Sequence, residues 1–96
     1  MSSRITDEQY ARYRDLSVRA REKLSIAAPE RTHLYALAAD ALDMVDRYLA
    51  DADHFESKGD RVRAFAAVAY AHGWLDALAR MGAISVDHDS QLFTVD

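Results

Sequence analysis

Leu34, Ala38, Ala41, Val45, Tyr48, Ala52 and Phe55 recur at alternating steps of four and three. Only an α-helix gathers residues at that spacing onto one side. No proline or glycine interrupts the chain between Pro29 and Gly59, so the spacing predicts one long amphipathic helix over about 30–57, against which everything else must pack. Asp40, Asp43, Asp46, Arg47, Asp53 and His54 fall on or near the opposite side, which this reading gives to water.

The boundaries of that helix define two more. Lys58-Gly59-Asp60 combines a residue suited to a left-handed stop with a helix-capping carboxylate, the signature of a tight reversal between antiparallel helices. The helix that follows, about 61–81, is apolar over a wide arc that includes Phe65, Val68, Ala69, Ala71, Trp74, Leu75 and Leu78. It is expected to be the most buried of the three and to end at Gly82. Upstream, Thr6 followed by Gln9 has the form of a capping box, and Tyr10, Tyr13, Leu16, Ala20 and Leu24 trace one face of a first helix over about 7–24. Arg14, Ser17 and Arg21 lie beside or behind that stripe. Pro29 breaks the pattern and suits the first turn of the second helix. Residues 83–96 carry two short β-prone pieces around a polar turn, an extended tail or a hairpin, with Leu92-Phe93 expected over the aromatic side of the third helix.

The fold class expected is therefore all-α, an antiparallel up-and-down three-helix bundle with a short C-terminal extended tail or hairpin. Ninety-six residues make one domain over 1–96, with a single core and no room for a second lobe. The chain has no cysteine, which excludes thiol nucleophiles and cysteine zinc sites. Met1–Glu8 turns acidic where a signal peptide needs an apolar run, and no stretch has membrane-spanning length; the expectation is a cytoplasmic protein with no membrane association. The net charge of −4 and the dispersal of the basic residues argue against a nucleic-acid surface. Ten Arg against two Lys and twelve Asp against four Glu fit a halophilic cytoplasm and fit a GC-rich genome equally well.

The run Tyr70-Ala71-His72-Gly73-Trp74-Leu75-Asp76-Ala77, with Phe65–Ala69 before it and Glu56–Asp60 upstream, resembles the archaeal domain-of-unknown-function family DUF357. The resemblance covers most of the chain, from the first helix through the third, and implies a compact three-helix bundle of archaeal origin. It implies no activity and no catalytic residue.

Candidate functional residues come from polar and aromatic positions on otherwise apolar helices. His72, Asp76 and Arg80 step by four along the third helix, either as a ligand or metal site or as a helical ladder of the kind that stabilises a helix locally. Asp51 lies at the expected core margin beside Tyr48, with Arg63 of the third helix as a candidate partner. Tyr70, Trp74, Ala77 and Met81 form a stripe suited to core packing or to a partner. Counting from the two turns sets Tyr13 level with Asp76, so the Asp76 carboxylate is expected to be satisfied by the Tyr13 hydroxyl, or by His72 and Arg80 from its own helix.

No nucleophile triad, phosphate-binding glycine loop or zinc-helix motif occurs. Three functions follow from these residues. The favoured one is a non-catalytic protein–protein interaction module, with a homodimer as one form of it and no cofactor. The second is an RNA-associated factor, with Arg63 nine residues before His72 as its nearest Arg–His combination. The third is a metal-dependent enzyme using His72, Asp76 and carboxylates of the second helix.

Overall fold

The computed structural model describes residues 4–85. Three helices, α1 (Asp7–Glu22), α2 (His33–Ser57) and α3 (Arg61–Arg80), form an all-α up-and-down bundle, joined at one end by two short strands, β1 (Ser25–Ile26) and β2 (Ile84–Ser85). The capping box is present: the Gln9 amide N–H donates to Thr6 Oγ1 at 3.1 Å, and the Thr6 N–H to Gln9 Oε1 at 2.9 Å.

The reversal between α2 and α3 is built as the sequence requires. Gly59 takes φ 77°, its N–H bonds the Glu56 carbonyl at 3.0 Å, and the Asp60 N–H reaches back to the Phe55 carbonyl at 2.9 Å. This double closure satisfies the last carbonyls of α2. Asp60 then caps α3 through the Arg63 N–H at 3.1 Å. Gly82, at φ 73°, closes α3 in the same way, with Gly82 N–H on Ala79 and Ala83 N–H on Leu78.

The connection between α1 and α2 differs from the tight turn expected. α1 stops at Glu22, before Leu24, and α2 starts at His33 rather than at Glu30. Arg31 is left-handed at φ 67°. Thr32 is extended, donates its hydroxyl to the Pro29 carbonyl at 2.6 Å and caps α2 by accepting from the Tyr35 N–H at 3.1 Å. Pro29 thus belongs to a turn outside the helix, because the side chain at Thr32 supplies the better cap. Between helix end and turn, Ser25–Ile26 runs extended and pairs antiparallel with Ile84–Ser85, in the register Ser25 with Ser85 and Ile26 with Ile84. Ile84-Ser85 is a strand, then, but its partner comes from the α1–α2 connection. The remainder of the expected tail or hairpin, including Leu92-Phe93, lies outside the described residues.

The core is narrow and rich in alanine. Ala38, Ala41, Val45, Leu75 and Leu78 are fully or almost fully buried in one cluster with Ala20, Ala83 and Ile84. A second cluster holds Tyr10, Ala52, Ala64, Ala67 and Val68 near the α2–α3 turn. Small residues on both α2 and α3 let these helices approach closely, so the α2–α3 hairpin is the body of the fold and α1 lies along one side of it. Ser17, expected outside the stripe of α1, is fully buried, while Tyr13 of the stripe and Ala69 of α3 are exposed. No helix among the described residues is long and apolar enough to cross a membrane.

Candidate functional site

The residues singled out in the sequence separate onto two sides of the α2–α3 hairpin. On the side where α1 packs lie Tyr13, His72, Asp76 and Arg80. The Tyr13 ring meets Phe65 edge-on, with centroids 5.3 Å apart, and not Asp76. His72 presents Nδ1 to Ser17 Oγ of α1 at 3.5 Å. Asp76 Oδ2 is 3.5 Å from Arg80 Nε, and Asp76 Oδ1 is buried with no hydrogen-bond partner among the described residues.

The reason is register. Arg14 pairs with Asp53 and Arg21 with Asp46, which centres the reversal of α1 onto α2 near His33 rather than at Ala27-Ala28. The extended β1 segment and the turn after it shift α1 along the hairpin, so Tyr13 sits about three helical turns from the level of Asp76. The expected Tyr13–Asp76 hydrogen bond does not form, and His72 is engaged with α1.

Three of the acidic residues of α2 that invited a metal reading, Asp43, Asp46 and Asp53, are paired with arginines. Arg14 Nε and Nη2 donate to the two carboxylate oxygens of Asp53 at 2.6 and 2.8 Å, and Arg21 does the same to Asp46 at 2.9 and 3.1 Å. Asp43 pairs with Arg47 at 2.9 Å. The hydrogen bonds from Arg14 hold the Asp53 carboxyl below its ordinary pKa, and Asp53 in turn raises that of Arg14. Among the described residues no three His, Asp or Glu side chains converge into a group that could hold a metal ion.

The opposite side of the hairpin carries a different surface. Tyr70, Gly73, Trp74 and Ala77 line an open apolar groove of about 350 Å³. Tyr70 is shared with a second groove of about 240 Å³, where it meets Tyr48, Asp51, Phe55, Arg63 and Ala66. The rings of Tyr48 and Tyr70 bridge α2 and α3 with centroids 5.1 Å apart. Tyr70 is 61% exposed and Met81 49%, while Trp74 is half-buried against the core. Asp51 is exposed and shares this groove with Arg63. The ion-pair partner of Arg63 is Asp60, at 3.4 Å, and its guanidinium lies 5.8 Å from the Phe55 ring centroid.

Tyr48, Asp51 and Trp74 are thereby brought onto one face, and His72, Asp76 and Arg80 are left on another. Arg63 and His72, the Arg–His combination of the RNA reading, fall on different sides of α3. Sequence reasoning found Tyr70, Trp74, Ala77 and Met81 but not Ala66 and Gly73, which line the same two grooves. Their signal is a second seam along α3, Arg63, Ala66, Tyr70, Gly73 and Ala77, whose steps of three and four run parallel to the core seam.

The family described as "Protein of unknown function (DUF357)" has a model that matches residues 12–84, from α1 to the first residue of β2. The chain belongs to the DUF357 family. No curated protein and no solved structure matches it at a significant level. The matched residues of this DUF357 chain include both sides of the hairpin, the Tyr70–Ala77 run and the buried end of β2.

Proposed function

We propose that this DUF357 protein is a non-catalytic interaction module that binds another polypeptide through the α2–α3 face. The observation that carries the reading is the position of Tyr70, Gly73, Trp74 and Ala77 along an open apolar groove, on the side of the hairpin that α1 does not cover. Aromatic residues presented on rigid helices offer large contact area at low cost in side-chain entropy, the property that makes tyrosine and tryptophan frequent anchors of interfaces. Adjoining apolar grooves on one face of a small chain mark an interaction surface more readily than a surface left over from folding. The polar groups nearby suit binding better than chemistry: Asp51 and Arg63 stand at the groove wall, while His72 faces Ser17 of α1, away from the groove.

The test is capture of partners from the native organism by the wild-type protein and by Tyr70→Asp. The variant places a charge on the groove at a position more than half exposed, so the fold tolerates it. Loss of the captured proteins with Tyr70→Asp, and their retention with a substitution at exposed Arg12, is the expected result. An unchanged set of captured proteins rejects this face as the binding surface.

A further inference from the structure

The face is best matched by itself. Along α3 its seam alternates small and large residues, Ala66, Tyr70, Gly73 and Ala77, so that projecting rings and the recesses to receive them occur on one surface. Gly73 is the telling member. Glycine in a helix interior costs stability relative to alanine, and a Cβ built on Gly73 meets nothing within 4 Å. Among the described residues nothing approaches Gly73 closely enough to require glycine, and the recess it leaves is open to a second backbone.

The charges point the same way. Asp51 on α2 and Arg63 on α3 stand in the same groove, and Arg63, though 3.4 Å from Asp60, keeps a largely exposed side chain, so this groove offers a charge of each sign although the chain carries −4. Two copies can meet there without like-charge repulsion. Interfaces between identical chains are commonly isologous, each patch meeting itself about a two-fold axis. An axis running along the helices sets α2 of one copy on α3 of the other. Tyr48 then faces Tyr70 of the second copy, and Asp51 of each faces Arg63 of the other.

We propose that the α2–α3 face joins two copies of this chain, hairpin against hairpin, with reciprocal Asp51–Arg63 ion pairs flanking the tyrosines. This rests on the interaction-module reading and names its partner as a second copy. The layers in such a dimer run α1, hairpin, hairpin, α1, which gives each hairpin the second cover that a two-sided apolar layer needs.

The experiment is a pair of charge reversals. Asp51→Arg leaves two arginines in the groove and Arg63→Asp leaves two aspartates, so each variant alone repels its own copy. Mixed together, they form a heterodimer in which both ion pairs are present, one as in the wild type and the other with its sign reversed. Both positions are exposed, so the reversals bury no charge and the fold tolerates them, which circular dichroism verifies. Sedimentation of the wild type at about 100 µM, where a dimer of useful affinity is populated, should give a dimer. Each variant alone should dissociate at least about tenfold more readily, and the equimolar mixture should recover the wild-type constant.

A monomeric wild type overturns the proposal, as does a dimer whose constant neither reversal moves. Trp74, the only tryptophan of the chain, then separates this failure from that of the broader reading. A monomer whose Trp74 fluorescence is readily quenched by acrylamide still offers the face to a different partner. A monomer whose Trp74 is shielded has no open face, and the interaction-module reading falls with the dimer.

Discussion

Arg14 of α1 holds Asp53 of α2 with both a 2.6 Å bond from Nε and a 2.8 Å bond from Nη2, and two turns further along α1 Arg21 holds Asp46 through the same fork. These planar, two-point contacts fix both the axial register and the rotation of α1 on the hairpin. They also make the docking of α1 sensitive to acid. The pKa of Asp53 is lowered from its ordinary value of 3.8, first by the hydrogen bonds from Arg14 and then by its charge, against an opposing effect of burial. A lowered folded-state value means that the pair stabilises the fold above the ordinary carboxylate range, and that this stabilisation is lost as pH falls through the lowered value. Both side chains are more than a third exposed, so solvent screening keeps the contribution to about 0.5 kcal/mol or less. Denaturant melts at pH 7 and pH 3 should show a smaller acid-induced loss in Asp53→Asn than in the wild type; equal losses would assign the acid sensitivity to other carboxylates.

Arg61 makes the most connected polar contact among the described residues. Its guanidinium bonds both oxygens of Glu56, Asp7 Oδ1 at 2.7 Å and the Ile5 carbonyl at 3.0 Å, and lies 4.9 Å from the centroid of the Tyr10 ring. One side chain thus ties the start of α1 to the turn between α2 and α3. Glu56 and Asp7 hold it more firmly protonated than an ordinary arginine. Lysine keeps the charge but cannot present the planar fork to several acceptors at once. Arg61→Lys should therefore lower the melting midpoint almost as far as Arg61→Met does, and amide exchange should rise first in the opening turn of α1. A midpoint for Arg61→Lys close to that of the wild type would show that charge alone suffices.

Ser17 is fully buried at the α1–α3 contact, where its size matters more than its hydroxyl. The separation of 3.5 Å from His72 Nδ1 is at the far limit of a hydrogen bond. Ser17→Ala should change stability by less than about 1 kcal/mol. Ser17→Leu should destabilise by about 1–3 kcal/mol, because the added volume pushes α1 away from α3. Thermal or denaturant unfolding of the two variants distinguishes packing from polarity, and a larger loss in Ser17→Ala would reverse the assignment.

The case of Ser17 also shows where the sequence could and could not be read. The seam of α2, the capping box at Thr6 and Gln9, and the Lys58-Gly59-Asp60 reversal are local patterns, and local sterics and backbone hydrogen bonding suffice to produce them. The rotation of α1 is not local. Tyr13 and Ser17 both lie near the edge of its apolar stripe, and which one turns inward depends on Arg14 and Arg21 meeting Asp53 and Asp46 on another helix. The start of α2 escaped for a related reason: Pro29 and Thr32 are both credible first-turn residues, and pairing of Ser25–Ile26 with β2, distant in sequence, holds the connection extended. Of the candidate site, the aromatic stripe of α3 was legible from its spacing. Its separation from His72, Asp76 and Arg80 required the position of α1.

Asp76 is the residue for which the structure most changes the expected outcome of substitution. A carboxylate bonded by Tyr13 would lose a satisfied partner on truncation, and alanine would destabilise the fold. Instead, Tyr13 packs against Phe65, and among the described residues Asp76 keeps only the long 3.5 Å contact of Oδ2 with Arg80. Oδ1 is buried without a hydrogen bond among the described residues, and an unsatisfied buried oxygen costs free energy relative to an apolar group. Two further effects act in the same direction. A carboxylate one turn from the C-terminus of α3 opposes the helix dipole, and aspartate has lower helix propensity than alanine. The partial exposure of the side chain, 22%, and the contact with Arg80 moderate the cost. Asp76→Ala should therefore raise stability, by about 0.5–1.5 kcal/mol. A metal held by Asp76 predicts the reverse: the wild type would lose stability when a chelator is added, and the variant would start lower and not respond. Denaturant melts of both proteins with and without chelator separate these outcomes, and a destabilised Asp76→Ala together with a chelator-sensitive wild type would return Asp76 to the list of ligands.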